Sequence, residues 1–112
     1  MNKRFTKKLK ETMKREIFNS YVQGIISTFN ITKEELFSKS RKRELVDARQ
    51  LLYYLCAERP MRISLVQECM VENGYDTKHS PIIHGIESMR KKLKEDPDYR
   101  VLVHRLEDSV TI

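Results

Sequence analysis

The chain of 112 residues has no tryptophan, three glycines, three prolines and two cysteines. So few glycines and prolines argue against an all-β fold with many turns. No apolar stretch approaches the length of a membrane span. The charged N-terminus lacks the apolar core and cleavage site of a signal peptide. Without a secretion signal, Cys56 and Cys69 are expected as two free, largely buried thiols. Cys69, His79 and His84 fit no zinc spacing, because no Cys-x-x-Cys pair accompanies them. No glycine-rich phosphate loop is present, and no Cys–His pair has an orienting third group. Neither a metal, a cofactor nor an enzymatic activity is therefore expected.

What is present is charge. Apolar residues make up 39% of the chain and charged residues 34%, the balance of one soluble domain with a modest core. The formal net charge is +6, and it is concentrated. Lys3, Arg4, Lys7, Lys8, Lys10, Lys14 and Arg15 stand against Glu11 alone in residues 1–15, and the remainder is neutral. A second cluster, Lys39, Arg41, Lys42 and Arg43, lies within that neutral remainder. Basic clusters suit a polyanion; the alternative is a solvated helix face and a solvated loop.

The apolar spacing predicts helices throughout. Phe5, Leu9, Met13, Ile17 and Tyr21 recur every four residues, giving a helix from about residue 4 or 14 to about 28 that Asn30 can end. Thr32-Lys33-Glu34-Glu35 reads as a capping box for a short helix, with Ile31 and Leu36 as its hydrophobic staple. Leu45, Ala48, Leu51, Leu52, Leu55 and Cys56 form the wide apolar face of a third helix, from about Leu45 or Asp47 to Glu58, stopped by Arg59-Pro60. A fourth runs from about Ile63 to Glu72, with Ile63, Val66, Cys69 and Met70 inward, and ends at Asn73-Gly74. Ser80-Pro81 reads as an N-cap followed by a proline at the first helical position, opening a fifth helix with Ile82, Ile86, Met89 and Leu93 inward. Asp96-Pro97 repeats that start for a last helix carrying Tyr99, Val103 and Leu106. Tyr53 and Tyr54 are adjacent, so at most one faces the core. The fold class is all-α, a small bundle of about six helices.

Two stretches, ITKEELFSKSRKRELVDARQ (Ile31 to Gln50) and KHSPIIHGI (Lys78 to Ile86), resemble the C-terminal DNA-binding domain of the bacterial replication initiator DnaA. The first matches closely and the second in part. The resemblance covers roughly residues 17 to 106 and implies a helix-turn-helix fold, with residues 1–15 as a basic arm or helix extension and 16–112 as the domain. It omits the initiator's ATPase domain, so a stand-alone module is expected. It also implies that Arg43 enters a minor groove, and that Arg49 and Gln50 lie near the DNA backbone. A helix-turn-helix sets the first residues of its second helix against base edges; here those are Lys78, His79, Ser80, Pro81 and Ile82, with His84 one turn in. Lys39, Arg41 and Lys42 are candidate phosphate contacts. For Arg49, a surface salt bridge with Asp47 or Glu44 is the alternative. For Lys91, Lys92 and Lys94, beside Arg90, phosphate contact competes with a solvated tail that complements the helix dipole.

The second stretch departs from the family. Thr77-Lys78 replaces Arg-Asp, and Pro81 replaces a threonine and offers no hydroxyl to a base. Ala57 stands where a basic residue is common, and Glu87-Ser88 where Arg-Lys is common. A lysine favours guanine O6/N7 or a phosphate, whereas an aspartate accepts from cytosine. Altered or relaxed specificity is therefore expected. The partner implied is double-stranded DNA and not a membrane, in the bacterial cytoplasm or a phage-infected host cell. The role implied is a replication or transcription regulator or a phage accessory protein. The alternative is a protein-interaction or virion structural module that kept the fold, with the N-terminal helix docking on a protein partner or on its own copy.

Overall fold

The computed structural model describes residues 3–110, and their side chains from residue 7 onward. Six helices follow in order: α1 Lys3–Phe29, α2 Lys33–Leu36, α3 Arg43–Glu58, α4 Ile63–Glu72, α5 His79–Glu95 and α6 Pro97–Ser109. No strand occurs among the described residues, as the apolar spacing predicts.

Helix α1 is continuous across its charged and apolar halves. Ile17, Phe18, Tyr21, Val22 and Ile25 are buried, while Leu9 and Met13 are 48% and 42% exposed. The side chain of Phe5 lies outside the described residues. The four-residue stripe is thus buried only from Ile17 onward. At 1.5 Å rise per residue α1 is about 40 Å long, which accounts for most of the 45 Å longest dimension. Asn30 ends it at φ 54°, and the Ile31 amide donates back to the Ile26 carbonyl at 3.1 Å. An asparagine tolerates this left-handed geometry.

The expected capping box opens α2. The Glu35 amide donates to Thr32 Oγ1 and the Thr32 amide to Glu35 Oε1, each at 3.0 Å. Ile31 and Leu36 are both buried beside it. Helix α3 starts at Arg43, earlier than its apolar pattern predicts. Its first turn needs no apolar residue, because the Lys42 carbonyl accepts from the Leu45 and Val46 amides. Helix α4 ends as read: Gly74 takes φ 88°, and the Gly74 and Tyr75 amides close on the Val71 and Met70 carbonyls, both at 2.9 Å.

The start of α5 corrects the sequence reading. Lys78, not Ser80, is the N-cap, and no side chain caps the helix. Ser80 and Pro81 lie inside the first turn. Proline is tolerated there because amides of the first turn have no intrahelical partner. At α6 the cap-then-proline reading holds: Asp96 Oδ1 accepts from the Asp98 amide at 3.0 Å, and Pro97 follows at the first position.

Helix α3 is the central element. Nine of its residues are buried, and it packs along α5 on one side and α1 on another, with α2 and α4 at its flanks. Helix α6 closes the bundle against α5 and α1. Tyr53 is buried and Tyr54 half-buried. Cys56 and Cys69 are free and buried; burial raises both thiol pKa values, and that of Cys69, with Glu72 adding to the effect, is pushed up to about 11. No described helix is long and apolar enough to cross a membrane.

Candidate nucleic-acid interface

The basic loop between α2 and α3 is held by one arginine. Leu36 and Phe37 anchor its start in the core. Ser38 Oγ donates to the Glu35 carbonyl at 2.7 Å and accepts from the Ser40 amide at 3.3 Å; Ser40 Oγ accepts from the Lys42 amide at 3.3 Å. Arg49, on α3, reaches back under the loop. Its Nε donates to the Leu36 carbonyl at 2.7 Å, its Nη1 to the Ser40 carbonyl at 2.8 Å, and its Nη2 to the carbonyls of Ser38 and Glu35. The last carbonyls of α2 have no helical partner of their own, and a planar five-donor fork can satisfy several at once. The Tyr75 ring lies 5.0 Å from the guanidinium carbon.

Arg49 is 5% exposed. It makes no ion pair with Asp47 or Glu44, and its donors are engaged by the loop instead of a surface partner. The signal was in the sequence: Leu45, Arg49, Leu52 and Cys56 share one helical face, and the other three are core residues. By contrast, the loop's own cations, Lys39, Arg41, Lys42 and Arg43, are all exposed. The clamp fixes the backbone and leaves the charge in solvent.

Helix α5 presents Lys78, His79, Ser80, Pro81 and His84 to solvent. Ile82 is fully buried, as its helical spacing with Ile86, Met89 and Leu93 predicts, so of the leading residues expected at base edges it alone is turned away, and Ile83 is 44% exposed. Helices α3 and α5 approach closely at Gly85: a Cβ there would stand 2.8 Å from Tyr53 Cδ2 and 3.3 Å from Gln50 Cγ. The connector is pinned as well. Thr77 is buried, and its carbonyl accepts from Gln67 Nε2 at 2.8 Å. Thr77 is thus a structural residue in this chain.

This packing leaves a groove of about 800 Å³ whose walls include Lys39, Arg41, Gln50, Tyr75, Pro81 and His84. It brings the loop and the first turns of α5 onto one concave surface. A second concavity of about 390 Å³ continues the α3–α5 seam through Val46 and Gln50 to Arg43 and Lys91. Lys78, His79, Ser80 and Lys42 do not line either one. Asp47, 8% exposed, lies on the seam and was read from sequence only as a partner for Arg49. Its partners are Lys92 at 2.9 Å and, more loosely, Arg43 at 3.6 Å. Lys92 also lies 4.4 Å from the Tyr99 ring. Burial lowers its pKa, but the bonds to Asp47 and Tyr99 outweigh that and leave it raised. Lys92 is therefore engaged in packing α5 on α3, while Lys91 and Lys94 are exposed. No group of acidic, histidine and cysteine side chains among the described residues could hold a metal ion.

A family model described as the bacterial DnaA protein helix-turn-helix matches residues 21–88. The match runs from within α1 to within α5, and so contains the loop, Arg49 and the first turns of α5. Curated relatives include the chromosomal replication initiator protein DnaA of Nautilia profundicola, 32% identical over 81% of this chain and 20% of the relative. That of Oleidesulfovibrio alaskensis is 37% identical over 77% of this chain and 18% of the relative. That of Flavobacterium psychrophilum is 27% identical over 98% of this chain and 23% of the relative. The chain thus spans about a fifth of the length of these relatives. No solved structure matches.

Proposed function

Because the chain belongs to the bacterial DnaA helix-turn-helix family, we propose that it binds double-stranded DNA and acts in replication or transcription control. The first turn of α5 enters the major groove. Lys78, His79, Ser80 and His84 are the donors and acceptors available to base edges there. Arg43 and Arg41 reach the adjacent backbone or a narrowed minor groove, where the negative potential is enhanced. Lys39, Lys42 and Gln50 add backbone contacts, and the lysines of α1 extend them.

The observation that carries this reading is the shared groove. One concave surface has Lys39 and Arg41 on one wall and Pro81 and His84 on the other, so a single duplex can engage loop and helix together. Phosphate contacts supply affinity and register, while base contacts supply sequence preference. Lys78 favours guanine or a phosphate, and Pro81 removes a hydroxyl, so the preferred site differs from that of the initiators.

Fluorescence anisotropy tests the proposal with three labelled probes: a duplex carrying the initiators' recognition sequence, a scrambled duplex and a random pool. Arg41→Glu with Arg43→Glu should weaken every duplex and reduce the log–log salt slope by about 2, one for each lost phosphate contact. Stability should fall by no more than about 1 kcal/mol, since both side chains are exposed and only the loose Arg43–Asp47 pair is lost. A wild-type protein that binds no duplex at low salt would sink the reading.

A further inference from the structure

We propose that the cleft between α5 and α6 is a docking site for an acidic protein segment carrying an apolar side chain. Arg90 and Lys94 are one turn apart on α5, and Arg100 and His104 one turn apart on α6; all four line the same cleft of about 440 Å³. The tight Asp96–Pro97 junction folds one helix back on the other and brings the two pairs together. Beneath them lie Leu93, Val103 and the half-buried Tyr54. Only Glu107 contributes an acid to the lining.

None of the four basic residues takes part in an ion pair among the described residues, whereas Arg15, Arg43 and Lys92 all do. Arg90 and Lys94 are like charges four residues apart on one helix, which is mildly destabilising. Arg100 also sits in the first turn of α6, near the positive end of the helix dipole. Lys94 fits the dipole at the end of α5, but fold stability does not account for Arg90 and Arg100 beside it, and a ligand of opposite charge does. Guanidinium groups take carboxylates in bidentate geometry, and a cleft of this size with an apolar floor receives one or two side chains.

Geometry separates the cleft from the proposed duplex surface. At 100° per residue, Arg90 and Lys94 lie on the flank of α5 opposite Pro81, Ser88 and Lys92, which line the α3–α5 concavities. The four basic residues also lie outside residues 21–88 matched by the family model. The docking proposal stands independently of DNA binding.

The test uses the full chain and two fluorescein-labelled peptides, repeats of Asp-Asp-Leu and of Asp-Asp-Ser. The leucine peptide should bind, and the serine peptide should bind more weakly. Arg90→Glu with Arg100→Glu, both exposed positions, should weaken the leucine peptide about tenfold or more. Arg41→Glu with Arg43→Glu should leave peptide binding unchanged, and a bound duplex should not displace the peptide. The proposal is overturned if the peptide does not bind, or if both variant pairs weaken it equally. It is also overturned if Arg90→Glu with Arg100→Glu lowers duplex affinity instead, which would assign the cleft to the DNA backbone. Peptide binding with this pattern but no duplex binding would uphold the docking site and fail the DNA reading.

Discussion

Two of the molecule's basic segments, the loop after α2 and the first half of α1, are each held by an arginine. The loop at residues 37–42 is held by Arg49, buried and bonded to backbone carbonyls on both sides of a turn. The charged half of α1 is held by Arg15, whose guanidinium reaches Glu68 at 2.8 Å and Glu72 at 3.2 Å on α4 with its side chain one-third exposed. In the first, the tether is inside the protein and the free cations are outside, in one fixed arrangement. In the second, the tether is itself on the surface and the cations lie along a solvated helix. Composition does not separate the two, because both are dense in lysine and arginine. What separates them is whether the backbone under the charge is held by buried hydrogen bonds.

Removing the buried tether should have the largest effect. Arg49→Ala leaves several loop and α2 carbonyls without donors, and each buried unsatisfied group costs about 1–3 kcal/mol. A destabilisation of about 3 kcal/mol or more by urea unfolding is expected. Arg49→Lys keeps the charge but not the planar fork, so it should recover only part of the loss. Full stability in Arg49→Ala would mean that the loop is held by its serines alone.

A second way to break the comparison leaves the loop intact and moves the other wall of its groove. Gly85→Ala puts a methyl 2.8 Å from the buried Tyr53 ring. Overpacking of this kind costs about 1–3 kcal/mol, and it should shift α5 away from α3. Duplex affinity should fall by more than the loss of stability explains, since Arg41 and His84 would no longer bracket one groove.

The surface tether should matter less. Arg15→Ala removes two exposed ion pairs, each worth about 0–1 kcal/mol and weakened by salt. The measured loss should be under about 1 kcal/mol at low ionic strength and should shrink as salt is added. A loss as large as that of Arg49→Ala would show that the two segments are held equally and that the contrast is wrong.

Much of this was legible beforehand. Helix order, the capping box at Thr32, the left-handed Asn30 and the Asp96–Pro97 start each depend on neighbours in sequence, and local chemistry decides them. The exposed cations of the loop were legible for the same reason. The role of Arg49 was not drawn from its spacing, although Leu45 and Leu52 mark its face as buried, because its partners are carbonyls and carbonyls leave no trace in residue type. Ser80 failed as a cap because Lys78 starts the helix earlier without any capping side chain. The cleft between α5 and α6 depends on which flanks of two helices meet, and that follows only from packing.

The smallest effect expected is also the sharpest test of the solvated segment. Leu9 and Met13 belong to the same stripe as Ile17 and Tyr21, yet they are exposed where the other two are buried. If that stripe does nothing for the folded chain, Leu9→Ser with Met13→Ser should cost only the difference in helix propensity, about 0.5 kcal/mol or less in total. Equilibrium urea unfolding at low protein concentration reads this directly. Repeating it at high concentration adds the second half of the test. Were the stripe buried against another copy of the chain, the wild-type midpoint would rise with concentration and the variant midpoint would not. The expected outcome is that both midpoints stay flat, leaving the arm a charged helix whose apolar face contributes nothing to stability.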